Sequence, residues 1–333
     1  MRRFATLAAT CLLVLGLTAV PAARKAADQP ASVRAESAPS LSVTTVSVPE
    51  GTLRVYLPSD IAAGDTISGT VVAEPAGTGE AQRSENTSTL NGYVIDVGTQ
   101  KSTVAHRAFT FVVPAASAAA ALIVRRGNGA EVKRASIAVR PQPAQSNRRV
   151  IPSDFHFPQT VAAGQAFTVS GPFTGDVSKS ALSVGGRPVE VIAESPRAFI
   201  ASAPQNVSGP TTYQLKENGV AVTAACNVVK ISLSAPVTRL TKGEHSVVHV
   251  EITGLDGIHE PVPLRIVNST PGIVELAGGT TQELRIRPAD VRAGGTYATE
   301  RQITGVRAGT FSIWAASWLD ADRGKVEFYA FDR

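Results

Sequence analysis

From residue 41 onward the chain alternates apolar and polar positions in short runs. TTVSV, TLRVYL, TISGTVVA, GYVIDVG, FTFVVP, ALIVRR and ASIAVR fill the first third. Each is rich in β-branched residues and bounded by Gly, Pro, Asn or Asp, the signature of half-buried strands. AFTVSG, ALSVGG, VEVIA, AFIASA, TTYQLKENG and AVTAACNVV continue the style, followed by SVVHVEITG, VPLRIVN, GIVELAG, QELRIR, ATERQITGV, FSIWAASWL and KVEFYAF. No stretch carries an apolar stripe of helical spacing and helix length. The Ala-rich PAASAAAALIV run points to a strand or loop, because it exits into a β-like run. Gly127-Asn128-Gly129 then supplies the positive φ angles of a hairpin turn. Only residues 75–92, PAGTGEAQRSENTSTLNG, break the pattern, and they leave a short helix and a mobile loop equally open.

One phrase recurs. Residues 61–69 read IAAGDTISG, 160–171 read TVAAGQAFTVSG, and 240–254 read LTKGEHSVVHVEITG. Each sets an apolar residue, two small or polar residues and a Gly before a run that leads to a second Gly. The spacing between copies is that of one small domain. The phrase predicts a Gly-closed turn after an early edge strand, with the first inner strand behind it. Three such starts, with short strands and turn signals between, predict three small sandwiches in a row. The expected boundaries are 41–140, 151–232 and 233–333. PQPAQSNRR, within 141–150, reads as a linker where limited proteolysis should cut.

The N-terminus changes the compartment. Arg2 and Arg3 precede an apolar run from Phe4 to Val20, and Val20-Pro21-Ala22 offers small residues for cleavage. Residues 1–22 therefore read as a cleaved signal peptide, and 23–40 as a flexible tether. The expectation is an exported protein, periplasmic or extracellular, with no membrane insertion after cleavage. The 32 basic residues against 27 acidic ones, less Arg2 and Arg3, leave +3, with no basic stripe. Nucleic acid is not an expected partner. Of the two cysteines, Cys11 leaves with the signal, so Cys226 has no internal disulfide partner. It shares the alternation of Val220, Val222, Ala224 and Val228, which predicts a buried, inert thiol.

The middle third adds a resemblance. GQAFTVSGPF, ALSVGGRPVEV, AFIASAP and SGPTTYQLKENG look like the IPT/TIG domain over residues 151–232. Gly164, Gly171, Gly185, Gly186, Pro204 and Gly219 sit where that family turns. Pro172-Phe173 departs from its usual Asn-Phe. The resemblance implies an immunoglobulin-like sandwich with a binding or spacer role, and it names no chemistry. The expected fold class is thus all-β, three tandem immunoglobulin-like β-sandwich domains after a signal peptide.

Candidate chemistry is sparse. There is no nucleophile elbow, dinucleotide fingerprint or P-loop. His245 and His249 lie four apart, but the alternation around them is that of a strand. Four residues of strand span about 13 Å, too far for two ligands of one zinc ion. Asp320-Ala321-Asp322-Arg323-Gly324 resembles the start of a calcium loop, yet its Gly comes one place early and no closing Glu follows. A polar hairpin turn explains it without an ion. Three sequons, at Asn86, Asn206 and Asn268, fit chance in a Ser- and Thr-rich chain. No catalytic residue, metal ligand or cofactor site is expected.

Aromatic residues give the sharpest signal. Six of the 18 lie between 311 and 331, and both tryptophans are among them. On a strand, Phe311, Ile313, Ala315 and Leu319 share one face, with Trp314 and Trp318 on the other. Tyr329 and Phe331 fall on one face of the partner strand. Trp314, Trp318, Tyr329 and Phe331 form either a ligand face for sugar or protein, or packing, with the tryptophans buried by a β-bulge or covered by a neighbouring domain or the tail.

These features predict a non-enzymatic exported protein with a binding or spacer role. Its expected partner is a protein or polysaccharide of the cell envelope. A carbohydrate-binding accessory or weak glycoside-acting enzyme is the alternative. A periplasmic assembly factor or chaperone is a second.

Overall fold

The computed structural model describes residues 41–97, 100–115, 119–141, 150–237 and 239–317. The expected signal peptide and tether, and residues 142–149 of the expected linker, lie outside them. No helix of the described residues is long and apolar enough to cross a membrane.

The fold is all-β, built as tandem sandwiches of immunoglobulin-like layering. The first contains β1 (Leu41–Val48), β2 (Gly51–Pro58), β3 (Thr66–Pro75), β4 (Val94–Val97), β5 (Gln100–Thr103), β6 (Ala108–Val112), β7 (Ala119–Arg125) and β8 (Glu131–Ala138). One sheet runs β1-β2-β3-β6, and the other β5-β4-β7-β8. Alternate residues of both close on a core that includes Leu53, Val55, Ile67, Ile95, Phe111 and Leu122. The open segment 75–92 resolves into helix α1 (Glu80–Asn91), of which only Leu90 is buried. A helix so polar is held by its end rather than by a face. Leu90 and the adjoining Tyr93 sink into the core, and the Tyr93 hydroxyl donates to Glu50 Oε2 at 3.0 Å. The Ala-rich run leads into β7, and Gly127–Gly129 turns it into β8. There Gly129 N donates to Arg126 O, and Asn128 Oδ1 accepts from Ala130 N.

The second sandwich contains β9 (Thr160–Ala162), β10 (Ala166–Ser170), β11 (Ser180–Val184), β12 (Arg187–Pro188), β13 (Glu190–Ser195), β14 (Ala198–Ser202), β15 (Gly209–Glu217) and β16 (Val220–Ser234). Phe167, Phe199, Tyr213 and Val228 are in its core. The third uses the end of β16 with β17 (Arg239–Leu240), β18 (His245–Thr253), β19 (Val262–Asn268), β20 (Val274–Leu276), β21 (Thr281–Ile286), β22 (Tyr297–Gly305), β23 (Gly309–Thr310) and β24 (Ile313–Ser317). Phe311, Ile313 and Ala315 point into this third core, as the alternation predicts.

The recurring phrase is one hydrogen-bonded knot built three times. Asp65 N donates to Ala62 O, Gln165 N to Ala162 O, and Glu244 N to Thr241 O. The preceding Gly N donates across the sandwich to Val113 O, Ala203 O or Gly305 O at 2.8–3.0 Å. Those same residues donate back to Asp65 O, Gln165 O and Glu244 O. Gly64, Gly164 and Gly243 hold φ of 81°, 74° and 80°, a region that disfavours other residues. Ile61, Val161 and Leu240 anchor the knots in the three cores.

Neither junction is a free hinge. In β16 the buried side changes phase midway. Cys226 and Val228 face the second core, whereas Val229, Ile231 and Leu233 face the third. The boundary expected at 232/233 therefore falls inside one continuous strand. Between the first and second sandwiches, β13 extends the first sheet, with Glu194 opposite Ser68.

Candidate functional site

The seam between the first and second sandwiches gathers most of the buried polar chemistry. It is built on sheet alternation. Tyr56 lies out of phase with Leu53, Val55 and Leu57, so its ring faces away from the first core. Ile200 and Ala166 are likewise out of phase with Phe199 and Phe167 of the second core. These outward residues pack with Leu41, Ile192 and Ala193 into a separate apolar cluster that joins the two sandwiches. A groove of about 210 Å³ opens beside it, lined by Tyr56, Val72, Ala166, Glu190, Ile192 and Ser202.

The loop after Phe173 docks on the first sandwich. Ser68 Oγ donates to Gly175 O at 2.8 Å and accepts from Val177 N at 3.2 Å. Its single proton is thus committed, so the Thr110 hydroxyl, 2.7 Å away, is the donor in that pair. Gly175 has φ 76°, and a Cβ there would lie 1.7 Å from Thr66 O. The close approach requires glycine.

Behind this loop lie two sealed carboxylates, Glu194 at 0 % exposure and Glu217 at 1 %. Both Glu217 oxygens accept: Oε1 from Thr174 N at 2.8 Å, and Oε2 from the Ser180 hydroxyl. Glu194 Oε1 lies 3.5 Å from the Thr174 hydroxyl, and Oε2 has no hydrogen-bond partner. Burial pushes the Glu194 carboxyl up to about 7. The Ser180 hydroxyl and the Gly175 amide oppose the shift, while the Glu217 and Asp176 charges add to it. Asp176 itself is held below the usual carboxylate range by the Ser178 hydroxyl and amide and by Lys179.

A hydrolase needs two carboxylates flanking a cleft. This pair is closed to any sugar as folded. Among the described residues no group of three or more His, Cys, Asp or Glu side chains is placed to hold a metal ion.

Of the expected aromatic face, only Trp314 lies among the described residues; Trp318, Tyr329 and Phe331 lie outside them, as does Asp320–Gly324. Trp314 is 6 % exposed, so its ring is not presented to solvent. His245 and His249 stand on strand β18, paired to Thr304 Oγ1 and Glu300 Oε1. Cys226 is buried, with its thiol pushed up to about 11 by burial, the nearby Tyr213 hydroxyl opposing the shift. Of the sequons, Asn206 is exposed, whereas Asn268 is buried and donates to Val274 O.

The sequence reading passed over Glu194 and Glu217. Glu217 carried a signal, since it shares the alternation of the buried Tyr213 and Leu215. Glu194 carried none. A bulge between Val191 and Ala193 changes the phase of β13 and sets Glu194 opposite Phe199.

No protein-family model matches the chain, and no curated protein matches it in sequence. Solved structures match the chain only weakly. SGBP-B of the Bacteroides ovatus mixed-linkage glucan utilization locus, in complex with a mixed-linkage heptasaccharide, is 12% identical with a TM-score of 0.27. That match covers 82% of this chain and 92% of the other. SGBP-B from a complex xyloglucan utilization locus in Bacteroides uniformis is 12% identical with a TM-score of 0.27, covering 84% and 97%. The Escherichia coli adhesin FdeC is 11% identical with a TM-score of 0.18, covering 86% and 94%. Likeness at this level assigns neither ligand nor activity.

Proposed function

We propose that the chain is an exported, non-enzymatic binding or spacer protein of the cell envelope, with an IPT/TIG-like domain as its middle third. The observation that supports this most is the passage of β16 through two cores, with Val228 facing one and Val229 the other. A strand that belongs to two sandwiches leaves no residues free to act as a hinge. The first junction is stiffened in turn by Glu194 opposite Ser68, the shared apolar cluster and the docked Gly175 loop. A chain tied in this way holds its first and third sandwiches at a fixed separation, as a spacer or display scaffold must.

The test places spin labels at Lys133→Cys and Glu275→Cys, both exposed and in the first and third sandwiches. The expected result, at about pH 5, is one narrow distance distribution. A broad distribution overturns the spacer reading. The same protein, incubated with envelope polysaccharides, should give no hydrolysis products. Turnover would replace the reading with an enzymatic one.

A further inference from the structure

Glu194 sits where the first and second sandwiches become one sheet, opposite Ser68 across the seam. Around it, Thr174 bridges the two acids, its amide to Glu217 and its hydroxyl to Glu194. Two residues along from Thr174, Asp176 turns the same loop, whose Gly175 and Val177 grip Ser68. We propose that a single proton on Glu194 latches the first and second sandwiches together, and that its loss loosens their seam.

Burial and the neighbouring charges favour the protonated form, against the Ser180 hydroxyl and the Gly175 amide. From β15 comes Glu217, and from the loop Asp176; both charges acting on Glu194 are negative. Lys179, at the loop's outer end, is mostly exposed and pairs with Asp176 at 3.4 Å. On the β13–β14 turn, Arg197 is engaged by Asp60 and Asp65 of the first sandwich. The partner strands bring neutral groups, Ser68 from β3, Thr110 from β6, Ser180 from β11 and Phe199 from β14. An ionised Glu194 would leave Oε2 buried with no donor. It gains one only if water enters between the sandwiches.

The sign follows from the raised carboxyl, about 7 when sealed against 4.5 when open. Below pH 4.5 both states are protonated. Between 4.5 and about 7 only the sealed state holds the proton, so the seam weakens as pH rises and levels off above 7. The full loss is on the order of a hundredfold in the closing equilibrium.

Three measurements on the full chain test the latch. In urea unfolding, the wild type should lose on the order of a hundredfold in folding constant between about pH 5 and about pH 8, relative to Glu194→Gln. Equal pH slopes in the two proteins would overturn the proposal. Should the variant not fold, infrared difference spectra of the wild type decide. A protonated-carboxyl band should bleach between about pH 6 and about pH 8, and its absence would sink the latch. Labels at Lys133→Cys and Gln214→Cys report the seam itself. Their distance distribution should broaden at the higher pH, and one that stays equally narrow at both would show the proton does not govern the junction.

Discussion

Arg197, on the turn between β13 and β14, reaches into the first sandwich and donates its Nε–H to Asp60 Oδ2 at 2.7 Å. The same guanidinium donates to Asp60 O at 2.9 Å and to Asp65 Oδ2 at 2.7 Å. Asp65 belongs to the first knot, where its carboxylate also accepts from Ala62 N. One side chain thus ties the second sandwich to the glycine-closed turn of the first. Arg197→Ala should cost about 2 kcal/mol, because it strips Asp65 of its guanidinium and leaves Asp60 only Arg140 on Oδ1. Urea unfolding measures the loss, and Arg197→Lys should recover only part of it, lacking the planar fork.

Gly175 and Gly129 separate conformational strain from collision. Both hold positive φ, but a Cβ at Gly129 meets nothing within 4 Å, whereas at Gly175 it strikes Thr66 O. Gly129→Ala should cost about 1 kcal/mol and leave the seam intact. Gly175→Ala should cost about 3 kcal/mol or more and broaden the distance between labels at positions 133 and 214. Equal losses in thermal unfolding would show that the loop does not dock as described.

The two tryptophans can be read apart. Trp318→Phe leaves Trp314 alone, and its emission should be blue-shifted and protected from acrylamide. Trp314 pairs opposite Val267 on a strand whose neighbours Ile313 and Ala315 fill the third core. Red-shifted, readily quenched emission from this variant would return Trp314 to the surface.

Cys226 should resist a thiol reagent at about pH 8 in the native chain and react at once in denaturant, since burial holds it in the thiol form. Fast native labelling would contradict its place beside Tyr213. Cys226→Ala should cost about 1 kcal/mol through lost packing.

The sandwiches were legible because the signals that make them are local. Alternation in AVTAACNVV put Cys226 inside, and the phrase around Gly64, Gly164 and Gly243 announced three identical knots. The segment around α1 was ambiguous because its polar residues favour a helix only weakly, and Leu90 decided the matter by finding the core. Glu217 was legible in principle, as the third inward residue after Tyr213 and Leu215.

What the sequence determined by itself is therefore the strand pattern, the turns and the number of repeats, all set by residues near one another along the chain. The tertiary structure alone decided how the sandwiches join. The phase change at Val228 and Val229 depends on which core each residue meets. The bulge before Ala193 turns Glu194 inward, and its partners Ser68, Thr174 and Glu217 come from distant strands and loops. Burial beside such partners fixes the charge of a carboxyl, and it exists only once the chain has folded.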